Sequence, residues 1–539
     1  MFLVLYALVT FGHLFVNDLS SAIAVRAAHG MVGAALSSLG LYYMIQAFPA
    51  KWRMKALVLG LGTAQLALPL ARLFSEDLLQ IAEWRGLYLF ELGMALTCLG
   101  CVFLLKLPPG DRFKTFEKLD FLTFAILATG VALLCAVLSL GRIDWWLEAP
   151  WIGIASACSL VLIMAGLAIE HNRSNPLLMT RWLGSGAMIR LALAVVLIRM
   201  VLSEQSTGAV GFMQMLNMSN EQMRTLYWVM LAGAIAGLAV SALTINPAHL
   251  LMPLIISLAF MAVGSVMDSF SSNLTRPQNM YISQFLLGFG GTFFLGPTMV
   301  LGTKNVLTNP RNLVSFSVLF GICQNLGGLI GAALLGTFQI VREKFHSSMI
   351  VEHLTLLDPR VAARVASGGS AYGGVIADPE LRNLMGIRSL ATAATREANV
   401  MAYNDVFMLI AIIAILTMIW IFIRSLWLMS TTKAAASARL PFNPAAHFLH
   451  DRTDDDHHQR HRFHAGRHRA AEHAGHRTAL LAGAHHLFHG LCRDCDYRRA
   501  DRALRLAVAA LQQRRGNHRK RPGARPGDDH RAAAQRLCV

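Results

Sequence analysis

The chain of 539 residues is 55% hydrophobic and only 15% charged, and its mean hydropathy is +0.48. Soluble globular domains are more charged and less apolar than this, so the composition excludes an ordinary soluble protein. Apolar runs of about 20 residues recur along the chain, and each is long enough to cross a bilayer as a helix. The sequence therefore predicts an all-α polytopic membrane protein.

The apolar runs predict twelve membrane-spanning helices. Their approximate bounds in chain order are 2–17, 20–46, 54–74, 85–106, 119–140, 150–170, 187–204, 225–245, 249–268, 279–302, 314–339 and 402–425. Cytoplasmic loops carry an excess of Lys and Arg. Lys51, Arg53 and Lys55 lie in one loop, and Lys114 lies in the next loop but one. This pattern predicts that both termini are cytoplasmic and that residues 340–401 form a long loop on the outer side.

The second apolar run contains Arg26, followed by Gly30 and Gly33. An arginine at membrane depth is costly, and glycines at this spacing allow a neighbouring helix to approach closely. Two interpretations stay open for Arg26. Its side chain extends to the lipid headgroups at the membrane face, or it points into the bundle and belongs to a transport or proton path.

The stretch around Arg26, Gly30 and Gly33, the basic loop after it and the following helix with Pro69 resemble the fourth and fifth helices of the major facilitator superfamily. The branch that they resemble is the fourteen-helix drug:proton antiporters of EmrB/QacA type. Three further stretches are similar to helices or loops of that branch, namely 84–90, 175–178 and 325–338.

The resemblance implies a proton-coupled secondary transporter that exports small amphipathic compounds across a bacterial inner membrane. Two helix bundles would rock around a cavity at the midplane of the lipid bilayer. In that family the arginine matched by Arg26 is linked to proton transfer. The implied partners are the substrate, protons, the bilayer, and a periplasmic adaptor with an outer-membrane channel.

The resemblance begins at the third helix of the family, so we expect helices one and two to be absent through a truncated gene model or a real truncation. The expected domains are a truncated N-terminal bundle at 1–106, an inserted helix pair at 107–186, a six-helix C-terminal bundle at 187–429 and a tail at 430–539. The rival interpretation is a non-transporting remnant or a membrane-anchored interaction protein.

Glu91 is a carboxylate inside the fourth predicted span. At membrane depth such a group can carry a proton. It can equally be a structural partner of a nearby arginine or amide. His13 and His29 are single histidines on apolar helix faces, where ordinary packing is the favoured interpretation and a proton relay the alternative.

Further polar residues lie in the spans of the C-terminal bundle. Arg199 lies deep in the seventh span, or else near the outer interface together with Glu204. Gln284, Gln324 and Asn325 can hydrogen-bond a substrate, but hydrogen bonds between helices are an equal alternative.

No motif for catalysis or ATP use appears in the apolar body: it contains no G-x-x-x-x-G-K loop, no Ser/His/Asp motif and no His pair with metal-ligand spacing. We therefore expect neither an enzyme nor a cofactor, and no nucleic-acid partner.

The C-terminal tail differs in composition from the body. From Lys433 onward it holds 21 of the 48 Lys and Arg residues but only 10 of the 31 Asp and Glu residues, within a total charge of +17. Its Arg, His and Ala mixture has few large apolar residues, which is typical of disorder. It could bind metal through its histidines and Cys492-x-x-Cys495, or bind nucleic acid or anionic lipid. The favoured interpretation is an out-of-frame translation of GC-rich DNA.

Overall fold

The computed structural model describes residues 1–105, 117–246, 250–304 and 311–437, and every regular element in these ranges is a helix. The expected tail beyond 437 and the basic loop with Lys114 lie outside the described residues. In chain order the helices are α1 (Phe2–Gly12), α2 (Leu19–Ala47), α3 (Arg53–Leu104), α4 (Lys118–Leu140), α5 (Pro150–Asn172), α6 (Thr180–Leu183), α7 (Gly186–Ser203), α8 (Val210–Met215), α9 (Arg224–Thr244), α10 (Leu251–Asp268), α11 (Tyr281–Phe293), α12 (Leu295–Lys304), α13 (Arg311–Glu352), α14 (Pro359–Ser370) and α15 (Pro379–Ser437). A π-helical segment, Glu204–Ala209, joins α7 to α8.

Within the described part of the chain, eleven helical segments are long and apolar enough to cross a membrane. A shorter apolar helix, Phe2–Phe15, corresponds to the first predicted span. The prediction of an all-α polytopic fold is therefore confirmed. Many large apolar side chains on these helices are exposed at the protein surface, as expected for surfaces that face a bilayer.

The two spans predicted at 54–74 and 85–106 are joined in one helix, α3. The prediction of a loop between them is therefore wrong. The crossing segments are Arg53–Gln80 and Trp84–Leu104, with helix between them. The connecting residues are rich in Leu, Glu, Gln and Ala, which are strong helix formers. Neither a glycine nor a proline follows Pro69 before Gly86, so nothing in the local sequence ends the helix.

The prediction that residues 340–401 form a loop is also wrong as to secondary structure, because most of this region is helical. Helix α13 continues to Glu352, and α14 and the first turns of α15 fill much of the remainder. Both new helix starts carry a side-chain cap. The Asp358 carboxylate accepts a hydrogen bond from the Arg360 backbone N–H at 2.8 Å, and the Asp378 carboxylate accepts one from the Glu380 N–H at 3.0 Å. In each case proline occupies the first helical position. The backbone N–H that proline lacks would have no partner within the helix at this position, so no hydrogen bond is lost.

The same type of cap begins α2. The Asp18 side chain accepts a hydrogen bond from the Ser21 backbone N–H at 3.0 Å. Hydrogen bonds from Ser21, with the side-chain hydroxyl contributing most, hold the pKa of the Asp18 carboxyl below its usual value. The cap fixes the start of the helix that carries Arg26 and His29.

Small residues set the spacing of several helices in the C-terminal half, by which we mean helices α7–α15. A Cβ added at Gly237 on α9 would lie 2.2 Å from the Phe289 carbonyl oxygen on α11, and one at Gly331 on α13 would lie 2.3 Å from Ser203 Oγ. Such close contacts are typical of membrane helices, whose association depends on tight packing. They bring α7, α9, α11 and α13 together around buried polar side chains.

Helices α4 and α5 are joined by a hydrogen bond from Ser159 Oγ to the Gly130 carbonyl at 2.7 Å. This pair contacts α13 through a bond from Trp146 Nε1 to Thr337 Oγ1 at 2.8 Å.

The end of α5 is held by Arg173. Its guanidinium donates to Asp120 at 2.6 Å, Glu170 at 2.8 Å and Glu117 at 2.9 Å. The hydrogen bond to Asp120 is the largest of the contacts that raise the pKa of Arg173. One buried cation therefore binds three carboxylates and fixes the chain as it leaves α5.

Candidate functional site

A carboxylate lies where α1, α2 and α3 meet. Glu91 Oε1, on α3, accepts a hydrogen bond from the Tyr6 hydroxyl of α1 at 2.7 Å. The same oxygen lies 2.9 Å from Nε2 of His29 on α2. The His29 side chain is only 12% exposed, whereas that of Glu91 is 30% exposed. Three helices thus each contribute one group that can hold or give up a proton.

Aromatic contacts extend this group. The ring of His13 stacks on Tyr88 at 4.4 Å between centroids and meets the His29 ring edge-on at 5.2 Å. Arg26 Nη2 donates to the Tyr88 hydroxyl at 3.1 Å, and its guanidinium carbon lies 5.2 Å from the Tyr88 ring centroid. We name this group the α1–α3 cluster, and its members are Tyr6, His13, Arg26, His29, Tyr88 and Glu91.

The α1–α3 cluster is suited to proton exchange. Glu91 and His29 can each bind one proton, and His29 Nε2 lies 2.9 Å from the carboxylate without forming a hydrogen bond to it in this arrangement. Arg26 stays charged throughout. Loading or releasing one proton therefore changes the net charge of the cluster by one unit at membrane depth, since these residues lie in apolar helices.

A second polar group is buried in the C-terminal half. Glu204 is 0% exposed and Asp268 2% exposed. Gln284 Nε2, on α11, lies 3.1 Å from each Glu204 carboxylate oxygen and 2.8 Å from Asp268 Oδ2. The Ser283 hydroxyl donates to Asp268 Oδ1. We name these four residues the α7–α11 cluster, because they lie on the helices from the end of α7 to α11.

Arg199 links three helices. Its Nη1 donates to Gln65 Oε1 on α3 at 2.8 Å, and its Nε donates to the Gln324 carbonyl oxygen on α13 at 3.2 Å. Gly327 makes room, because a Cβ there would lie 2.8 Å from the Arg199 Cβ. The contact connects the N-terminal third of the chain to the C-terminal half.

A small crevice lies between α3 and the α7–α9 region. Its lining residues are Leu68, Pro69, Arg72, Gln205, Ser206, Val210, Tyr227 and Met230. The Arg72 guanidinium lies over the Tyr227 ring at 5.9 Å. Gln205 also donates to the Gln284 backbone carbonyl at 3.3 Å, so the crevice adjoins the α7–α11 cluster.

The sequence profile of the Major Facilitator Superfamily matches residues 1–332. The chain belongs to the major facilitator superfamily. This membership confirms the superfamily assignment made from the Arg26 motif, and it makes the chain a multi-pass membrane protein of a family of secondary transporters.

Two solved structures of a bacterial homologue of the human lysosomal transporter Spinster match the chain with low scores. The inward-facing, unoccupied form gives a TM-score of 0.38 at 12% identity, covering 78% of this chain and 81% of that one. The inward-facing, occupied form gives 0.39 at 14% identity, covering 79% and 81%. No curated protein sequence matches the chain significantly.

The predicted site residues of this major facilitator chain fall into distinct places. Arg26 and Glu91 meet in the α1–α3 cluster, and Gln284 lies at the centre of the α7–α11 cluster. Arg199 is a bridge between helices, and Pro69 lines the crevice.

The other predicted site residues belong to neither cluster. Gln324 is buried, and neither polar atom of its side chain has a partner within the described residues. Asn325 is exposed. The predicted close approach of a helix at Gly30 is not found, since a Cβ there would meet nothing within 4 Å. At Gly33 a Cβ would make ordinary contact with the Tyr6 ring at 3.7 Å.

Seven of the ten cluster members were not among the predicted site residues, namely Tyr6, His13, His29, Tyr88, Glu204, Asp268 and Ser283. The interpretation of His13 and His29 as ordinary packing overlooked the contact between His29 and Glu91. Glu204 was considered only as a neighbour of Arg199, and its complete burial was not predicted. The reason is that the helix does not end at Ser203 but continues through the π segment to Met215. Asp268, at the end of a predicted span, is buried because α11 presents two donors to it.

Proposed function

We propose that this chain is a proton-coupled antiporter of the fourteen-helix drug:proton branch. It would export small amphipathic compounds across a bacterial inner membrane, with both termini in the cytoplasm. Support for proton coupling comes from one observation: Glu91 Oε1 is within hydrogen-bond distance of both Tyr6 and His29 at membrane depth.

In the proposed cycle, Glu91 takes a proton when the cluster faces the outer side and releases it when the cluster faces the cytoplasm. His29 offers the neighbouring base that receives or returns the proton. Tyr6 holds the carboxylate oxygen in position in both states, because its hydroxyl can donate or accept. The change of net charge biases the helix arrangement, which is what coupling requires.

Substrate would be bound between the N-terminal helices and the C-terminal half. The crevice at Pro69 combines apolar side chains with the Arg72–Tyr227 contact, which suits an amphipathic molecule. Gln324 offers a donor and an acceptor that the protein leaves unused. The Arg199–Gln65 bridge would break and re-form as the halves alternate. A periplasmic adaptor and an outer-membrane channel belong to this proposal through the branch alone.

The test is efflux of a cationic dye from proteoliposomes with an imposed pH gradient. Glu91→Gln keeps the shape and the hydrogen bond from Tyr6 but removes the exchangeable proton. Dye transport driven by the gradient should fall to background, while dye binding to the purified variant stays unchanged. Glu148→Gln, at an exposed carboxylate between α4 and α5, is the matched control and should transport normally. Gradient-driven efflux at the normal rate by Glu91→Gln would refute the proposal.

A further inference from the structure

The geometry points to a second, exchangeable proton site at Glu204 and Asp268, in which one proton is shared between the two carboxyl groups. The site lies in the C-terminal half and contains no residue of the α1–α3 cluster. The inference about this site therefore does not depend on the role proposed for Glu91.

Burial is the first argument. Two carboxyl groups with exposures of 0% and 2% have lost nearly all contact with solvent. A buried charge is costly unless a counter-charge or several hydrogen bonds compensate it, and two like charges side by side are costlier. At least one of the pair is therefore kept neutral by a proton, unless a cation lies close by.

The neighbouring helices supply no such cation. Helix α11 presents the neutral side chains of Ser283 and Gln284. Helix α15 presents Phe407 beside the Gly208 turn of the π segment and Tyr403 beside Gly211, and neither carries a positive charge.

The basic residue before Glu204 on α7 is Arg199, and its guanidinium donates to Gln65 and to the Gln324 carbonyl. No arginine, lysine or histidine is an ion-pair or hydrogen-bond partner of Glu204 or Asp268 within the described residues. A proton is the remaining means of neutralising the pair.

Hydrogen-bond accounting is the second argument. Gln284 Nε2 lies within hydrogen-bond distance of both Glu204 and Asp268, so the two carboxyl groups converge on one donor that holds them in place. Ionised carboxylates only accept hydrogen bonds and repel one another, so a proton on one of them stabilises this arrangement. The cluster is thus built to bind one proton.

A side-chain acceptor beside the pair can bind a water molecule through which the proton would leave. Gln284 is 0% exposed, yet its Oε1 has no hydrogen-bond partner within the described residues. A buried amide oxygen without a partner is rare in folded proteins and indicates a missing donor such as water. A water at this oxygen would be the first carrier of a proton leaving the pair. In that step one carboxyl O–H bond breaks, the water receives the proton and the carboxyl group becomes a carboxylate.

The π-helical segment connects the pair to the crevice at Pro69, through which a proton would reach it. Glu204 is the first residue of the π-helical segment, and such segments often occur at functional sites because they interrupt the regular backbone hydrogen bonding. The next residue, Gln205, lines the crevice at Pro69 and also donates to the Gln284 carbonyl. Glu204 is therefore adjacent in the sequence to a residue that lines the crevice between α3 and α9.

Infrared difference spectroscopy of the full chain in nanodiscs tests the inference directly, because protonated carboxyl groups have a carbonyl band separate from those of carboxylates and amides. Titration from acid to alkaline pH should remove a band that is absent from both Glu204→Gln and Asp268→Asn. Glu91→Gln should retain this band, which separates the result from the proposed function. Ser283→Ala keeps both carboxyl groups but removes one donor to Asp268, and it should retain the band at a shifted frequency.

Three outcomes would overturn the inference. A band in Glu204→Gln and Asp268→Asn identical to that of the unaltered protein would assign the proton elsewhere. A band that persists unchanged across the whole pH range would make the proton a fixed structural one. Loss of the band on addition of sodium at constant pH would make the cluster a sodium site. Correct folding of each variant is checked by an unchanged thermal unfolding midpoint.

Discussion

At the residue scale, two of the predicted functional side chains belong to one cluster although 65 positions separate them. Arg26 and Glu91 were identified because charged groups are costly in apolar helices. Their partners could not be identified from the sequence, since Tyr88 contacts Arg26, and Tyr6 and His29 contact Glu91, only when α1, α2 and α3 pack together. The burial of Glu204 was not predicted because it depends on the continuation of the helix beyond Ser203.

The position of Arg26 against Tyr88 gives a prediction at this scale. Arg26→Ala should abolish proton-dependent dye efflux while membrane insertion stays normal. Arg26→Lys keeps the charge but loses the planar guanidinium that lies over the ring and donates to its hydroxyl, so efflux should fall by about tenfold, equivalent to about 1.4 kcal/mol. The measurement is efflux from energised vesicles with and without a pH gradient.

Arg85 provides the matched control for Arg26, because its guanidinium lies over the Trp84 ring at 5.0 Å on the same helix as Tyr88. Arg85→Ala should leave efflux unchanged. Equal losses in Arg26→Ala and Arg85→Ala would show that stacking of an arginine on α3, and not the α1–α3 cluster, is what transport needs.

At the element scale, the sequence predicts the crossing helices well because each needs only a long apolar run. The connections were predicted less well. The 340–401 region was taken for a loop because it lacks such a run, although the Asp358-Pro359 and Asp378-Pro379 pairs are recognisable helix starts. The π segment has no comparable local signal, since it depends on the packing of α7 against α13 and α15.

The contact between α14 and α15 gives a prediction at the element scale. A Cβ at Gly386 would lie 2.1 Å from the Val365 carbonyl oxygen, a backbone atom that cannot move alone. Gly386→Ala should therefore separate α14 from α15 at a cost of about 1–3 kcal/mol. Limited proteolysis between 371 and 378 should become faster.

Gly374→Ala is the control for Gly386, because a Cβ at Gly374 would meet nothing within 4 Å. It should be cleaved at the original rate. Unchanged cleavage of Gly386→Ala as well would mean that α14 does not pack on α15 as the structure has it.

At the scale of the whole molecule, the apolar runs predict a polytopic helical protein and the resemblance around Arg26 implies the superfamily, whereas the arrangement of the helices was not predicted. The Arg199–Gln65 bridge and the crevice at Pro69 both join distant parts of the chain. Neither has a sequence signal, because each depends on how two groups of helices meet. These contacts are the ones that an alternating-access cycle would have to rearrange.

Orientation in the membrane is a separate prediction. The basic loops predict that Lys114 faces the cytoplasm and that Gly369, in α14, faces the periplasm. Reporter fusions that are active on only one side should give opposite results at the two positions. The same result at both would show that the number of crossings between them is not odd.

The most direct test of proton-coupled transport is the movement of protons when substrate moves. Proteoliposomes are loaded with a cationic amphipathic dye and a pH-sensitive fluorophore, and the outside is diluted without any imposed pH gradient. The account predicts that outward dye movement drives protons inward and acidifies the lumen, and that Glu91→Gln shows no acidification while Glu148→Gln behaves normally. Dye leaving through the protein with no change in luminal pH would contradict it.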